Sequence, residues 1–196
     1  MRASRVLIGV LFAGLTLACG SDERPAEPAV APAVGPELYK VGDEIEPLTL
    51  NDQRGNEHSV DSSIRLVIFS RTKDGSDVVK GALRGWNDDS LAEHDIVNVG
   101  DIHTIPSAIR RGFVIPAMRK GSSPILLDQE GDLTSRFPAE EGAATLIFVD
   151  DLRIERLLFT TSFLEARKHV EAVAEAKTSE EEPSQKSFPP DGGALD

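Results

Sequence analysis

Two kinds of apolar pattern organise this chain. The first is the short uninterrupted run. Arg65 to Phe69 (RLVIF) is apolar after its first residue and rich in β-branched side chains, as a strand covered on both faces must be. Ile96 to Val99, Ile125 to Leu127, Ala144 to Val149 (ATLIFV) and Ile154 to Phe159 repeat that character. The second pattern is helical. Val78, Val79, Ala82, Leu83 and Trp86 fall on one face at a period near 3.6, with Ser76 as the expected N-cap and Asp77 favourable to the helix dipole. Gly81 and Gly85 weaken that helix by about 1 kcal/mol each. A last helix opens at Ser162 and Glu165, spaced as a capping box, and continues on Phe163, Ala166, Val170, Val173 and Ala174.

Between these elements the pattern is weaker. Leu48 to Leu50 and Glu57 to Val60 are short extended pieces around NDQRGN, whose Asp and Gly suit a hairpin turn. Thr104 to Lys120 reads as a helical connection that Pro116 kinks or splits. Asp128 to Gly131 turns the chain, a short helical piece covers Asp132 to Phe137, and DDLR turns the chain into the final strand. The sum is an α/β domain over 39–176.

Composition changes sharply on both sides of that domain. Ser21 to Leu38 carries Pro25, Pro28, Pro32 and Pro36 among alanines and acids, which favours polyproline II and buries no core. At ~3.1 Å per residue such a spacer reaches roughly 55 Å. Lys177 to Asp196 is acidic, proline-containing and almost free of apolar residues, so 177–196 reads as a disordered tail. The net charge of −12 becomes −14 without residues 1–18, because Arg2 and Arg5 leave and no acid does. That balance repels phosphate backbones and excludes nucleic acid as a partner.

The first residues have the form of a targeting segment. Arg2 and Arg5 precede an apolar run from Val6 to Leu17, too short for the ~20 residues of a membrane span. The run ends in LTLACG, which resembles a bacterial lipobox, although Thr16 stands where leucine is usual. The resemblance implies that residues 1–18 are a lipoprotein signal peptide and that Cys19 becomes a lipid-modified (palmitate-bearing) N-terminus, followed by the 19–38 linker. Gly20, rather than aspartate, after the cysteine implies the outer membrane facing the periplasm. Acyl chains contribute ~0.8 kcal/mol per buried methylene, so several hold firmly.

A βαβ unit followed by a β-hairpin and a closing helix resembles the thioredoxin fold in its peroxiredoxin-like form. VGDEIEPLTLNDQRGNEHSV is similar to the family's entry segment, and PILLDQEGDLTSRF and ATLIFVDDLRIERL to its later half. The resemblance spans Val41 to Val173 and implies a thioredoxin-like three-layer sandwich with a central mixed sheet and an N-terminal β-hairpin extension. It also implies a reactive cysteine at the start of the helix after the central strand, where the dipole lowers a thiol's pKa. Here the chain departs from the family. That window, Asp74 to Val78 (DGSDV), holds no sulfur, and Ser76 is no substitute, since an alcohol does not cycle between redox states and no base stands beside it in the sequence. GAATL likewise lacks the proline that the family carries in cis before the corresponding strand, so a trans bond is expected.

Other chemistry finds little footing. His58, His94, His103 and His169 lie on separate elements without ligand spacing, so no metal and no cofactor is expected. DQEGD lacks the alternating ligands of a calcium loop. Positive charge does concentrate in one place: Arg71 and Lys73 after the central strand, and Arg110, Arg111, Arg119 and Lys120 in the connection, should all lie toward the carboxyl edge of the sheet. These residues are the candidate contact for an envelope protein or an anionic small ligand. The reading that results is a non-catalytic envelope lipoprotein with a redox-inactive binding domain. The alternatives are a small-ligand or metal-binding module at the same edge and an oxidoreductase working without a thiol.

Overall fold

The computed structural model describes residues 35–181; the expected signal peptide, Cys19 and most of both terminal segments lie outside that range. Five strands form one mixed sheet in the order β5-β4-β3-β6-β7: β3 (Leu66–Ser70), β4 (Ile96–Asp101), β5 (Leu126–Asp128), β6 (Ala144–Asp150) and β7 (Arg153–Thr160). The first three run parallel, and β6 and β7 complete the sheet antiparallel. A separate antiparallel hairpin, β1 (Leu48–Asn51) with β2 (Glu57–Val60), matches the expected N-terminal extension.

Alternation along β3 sets the layers. Leu66 and Ile68 point to one face, where they meet Val78, Val79, Ala82, Leu91, Ala166 and Val170 from the helices α1 (Lys73–Ala82), α2 (Asp88–Glu93) and α5 (Phe163–Glu181). Val67 and Phe69 point to the other, onto Leu48, Leu50 and Val60 of the hairpin with Ile45, Tyr39 and Phe137. Phe137 stands edge-on to Phe69 at 5.3 Å between centroids. Both cores are built from residues between Tyr39 and Val173, within the unit Pro36–Asp196.

The hairpin is fixed by polar contacts that local pattern does not reveal. Gln53, buried at its tip, accepts from Ile125 N (2.7 Å) and donates to Ser123 O (3.0 Å). The Asp52 carboxylate closes the turn by accepting from Arg54 N and Asn56 N, each at 2.8 Å. Burial pushes the Asp52 carboxyl up, but these backbone bonds and the Asn56 amide outweigh it and hold it below the ordinary range.

Three expectations need correction. The helix after β3 begins at Lys73, and its N-cap is Thr72, whose Oγ1 accepts from Gly75 N at 3.1 Å; Ser76 lies inside the first turns. Gly85, at φ +93°, breaks the chain before Trp86, and α2 follows, capped reciprocally by Asn87 and Ser90. The 104–120 connection is helical and interrupted just before Pro116, as expected: it holds α3 (Ser107–Ile109), a π-helical stretch Arg110–Val114 and α4 (Ile115–Met118). Pro116 offers no N–H to an α-helical ladder, and Ile115 N reaches back to Arg110 O. Residues 132–137 form turns rather than a helix, because the buried Asp128 side chain captures Thr134 N at 2.8 Å.

The last helix passes the expected domain edge at Ala176 and runs to Glu181. Lys177 Nζ pairs with Asp95 at 2.7 Å, and Arg65 forks onto Glu180 at 3.0 and 3.2 Å. Its start uses three residues instead of a two-residue box. Glu165 N donates to Ser162 Oγ, while the Glu165 carboxylate accepts from Thr160 Oγ1 at 2.6 Å and that hydroxyl receives Ser162 N.

Candidate functional site

The parallel strands β3, β4 and β5 deliver Ser70, Asp101 and Asp128 to one edge, the carboxyl edge, where α/β sheets place their sites. The first turn of α1 and the start of β6 stand there too, since Phe69 pairs with Thr145. Gly75, the third residue of α1, is buried so closely that a Cβ added to it would stand 2.3 Å from the Ala143 carbonyl oxygen. The helix start and the chain entering β6 therefore touch backbone to backbone. Lys73, Asp74, Ser76 and Asp77 surround that contact, none carrying sulfur. No peptide bond among the described residues is cis.

Beside it lies a cluster that sequence reading missed. Asp101, the last residue of β4, has a buried carboxylate. Its Oδ2 accepts from Arg71 Nε at 2.8 Å, and its Oδ1 accepts from His103 N at 3.1 Å and contacts His103 Nδ1 at 2.6 Å. Burial pushes this carboxyl up, but the bonds from the His103 side chain, the His103 backbone and Arg71 together hold it below the usual carboxylate range. The second half of the Arg71 guanidinium donates to Thr134 O at 2.9 Å. His103 packs over Gly131, where a Cβ would fall 2.6 Å from the ring; Gly131 has φ +83°, so glycine serves twice at that position. The imidazole side chain remains 41% exposed, with Nδ1 committed to Asp101. An acid ending an apolar strand two residues before a histidine (VNVGDIH) was the available signal.

The predicted basic residues are engaged in different ways. Arg71 is tied to Asp101. Arg110 is buried, donating through one terminal nitrogen to Gln129 O and Ile102 O, with the other 3.6 Å from Glu130. Lys73 pairs with Asp77 along the helix at 2.6 Å. Arg119 turns toward the hairpin and donates to Gln53 O at 2.7 Å. Arg111 and Lys120 are exposed. Half of the expected patch, Arg71, Arg110 and Arg119, thus consists of structural cations that hold loops together, and exposed apolar groups, Phe113 at 74% and Ile109 at 49%, accompany Arg111 in the segment after β4. Among the described residues no group of three His, Cys, Asp or Glu side chains is placed to hold a metal.

No protein-family model matches the sequence, and no curated protein does. Solved structures do match. A putative thiol:disulfide interchange protein DsbE from Chlorobium tepidum superposes with a TM-score of 0.50 at 10% identity, over 72% of this chain and 99% of that one. Peroxidoxin BcpB from Mycobacterium tuberculosis is 18% identical over 71% of this chain and 97% of its own, with a TM-score of 0.45. A peroxiredoxin-like protein from Aquifex aeolicus is 16% identical over 74% and 90%, with a TM-score of 0.47. The strand order, the helices on one face of the mixed sheet and the likeness to the Chlorobium protein identify the fold as thioredoxin-like.

Proposed function

We propose that this chain is a non-catalytic binding module of the bacterial cell envelope, carried on a lipid at Cys19 and held away from the membrane by the proline-rich 21–38 segment. Its outer-membrane, periplasm-facing address follows from the lipobox-like LTLACG and Gly20. The domain engages a protein partner through its carboxyl edge, where Phe113, Ile109 and Arg111 are exposed. One observation carries the reading. The helix start that holds the reactive thiol in the family offers only Thr72, Lys73, Asp74, Gly75 and Ser76 here, with Gly75 packed on the Ala143 backbone. The sole cysteine of this sequence, Cys19, belongs to the lipobox-like motif.

The test is turnover. The unit Pro36–Asp196 is expected to reduce insulin disulfides with dithiothreitol no faster than the reagent alone and to consume no hydroperoxide above blank. Turnover that survives gel filtration and scales with protein concentration would refute the non-catalytic reading.

A further inference from the structure

A second site lies on the helical face of the sheet, toward the amino end of β3 and away from the carboxyl edge. A groove of about 300 Å³ opens between the second half of α5 and strands β6 and β7. Phe148, Val149, Ala172, Val173 and Ala176 give it an apolar floor and wall. Three nitrogen bases rim it: Arg65, Arg156 and His169, in a chain of net charge −12. Register explains the convergence, because Phe148 pairs with Leu66 on one side and Arg156 on the other, and Val149 N donates to Arg65 O. Arg156 sits over the Phe148 ring, its guanidinium carbon 3.7 Å from the centroid, and His169 stands edge-on to the same ring at 5.8 Å.

Stacking orients the Arg156 guanidinium and leaves its N–H edge to act as a donor. No carboxylate among the described residues lies within ion-pair distance of it, although Asp and Glu outnumber Lys and Arg in the chain by 33 to 21. Arg65 shows what the rim recognises. Both its terminal nitrogens clasp the two oxygens of Glu180 in the fork geometry that guanidinium and carboxylate share. The Glu180 side chain is 67% exposed, so this clasp is weak and open to displacement.

We propose that the groove binds a small amphiphilic carboxylate, its apolar body on Phe148 and Val173 and its head group on Arg156 and Arg65, with Glu180 as an internal competitor for Arg65. The site is independent of the lipid anchor and of the carboxyl edge. Octanoate is the probe, titrated calorimetrically into the unit Pro36–Asp196, with octanamide as the uncharged isostere and inorganic phosphate as the anion without a body. Saturable octanoate binding is expected, with octanamide and phosphate each much weaker. Arg156→Gln weakens octanoate at least about ten-fold, as loss of a charge-assisted hydrogen bond does, and Glu180→Gln strengthens it about three-fold by releasing Arg65. Both positions are exposed, and an unchanged melting temperature checks that the fold is intact. Absence of saturable binding, or octanoate affinity indifferent to Arg156→Gln, would overturn the site. Phosphate binding as tight as octanoate would overturn the amphiphilic ligand, and an unchanged affinity in Glu180→Gln would overturn the competition.

Discussion

Replacing Gly75 with alanine is expected to lower the unfolding free energy of the Pro36–Asp196 unit by about 2–3 kcal/mol in urea denaturation, although alanine is by about 1 kcal/mol the better helix former. The added methyl would meet the Ala143 carbonyl oxygen at 2.3 Å and carbonyl carbon at 2.9 Å. Both are backbone atoms, so no side-chain rotation relieves the clash, and the start of α1 or the turn before β6 must move. That turn is itself tied, Ala143 N donating to Glu140 O at 3.2 Å. Gly112 supplies the control. A Cβ there meets nothing within 4 Å, so Gly112→Ala is expected to stay within about 0.5 kcal/mol of the native protein. Equal, small effects at both positions would mean that the carboxyl edge is open. The same contact bears on restoring a thiol: a cysteine at position 75 carries the same Cβ and meets the same backbone.

The second large effect is expected from Arg71→Met, which leaves the Asp101 carboxylate buried with one charged donor fewer and takes the donor from Thr134 O. Removing one partner of a buried pair costs about 3 kcal/mol near neutral pH, and Asp101→Asn in the same protein is expected to recover part of it. Acid dependence supplies the sign check. Because the folded Asp101 carboxyl is held below the usual range, its contribution to stability is present above the unfolded-state carboxyl value and disappears as pH falls through the folded one. The native protein should therefore lose stability below about pH 4. Arg71→Met removes one of the groups that depress the carboxyl, so its stability should fall less steeply over that range. An Arg71→Met protein as stable as the native one, with an unchanged acid limb, would show that the Arg71–Asp101 pair does not brace this edge.

What the sequence revealed, and what it concealed, follows from the range of the interactions involved. The strands were legible because burial on both faces writes a continuous apolar run, as in LVIF and ATLIFV. The start of α1 was misplaced by four residues because its first turn, KDGS, is polar and mimics a loop; only the Thr72 cap distinguishes the two. Helix α2 was invisible to periodicity, since Leu91 is its one buried residue and its stability rests on the Asn87–Ser90 cap. At the site, charges were legible but partners were not. Arg71 finds Asp101 across 30 residues and Arg119 finds Gln53 across 66, so the topology had to be known before those cations could be seen as internal braces. The end of α5 illustrates the same point: a segment poor in apolar residues continues as helix because Lys177 and Glu180 meet Asp95 and Arg65 on other elements.

The absence of cysteine from the domain was legible at once and needed no topology. The geometry adds the packing of Gly75, in the first turn of α1, on the Ala143 backbone. The proposed function joins these two facts to a third, the fate of Cys19. Mass spectrometry of the protein isolated from envelopes, before and after brief exposure to hydrogen peroxide and then dithiothreitol, tests that third point directly. The account predicts an N-terminal Cys19 carrying diacylglycerol and an acyl chain, its mass indifferent to oxidant and reductant. A bare Cys19 thiol that oxidises and is reduced again would contradict it.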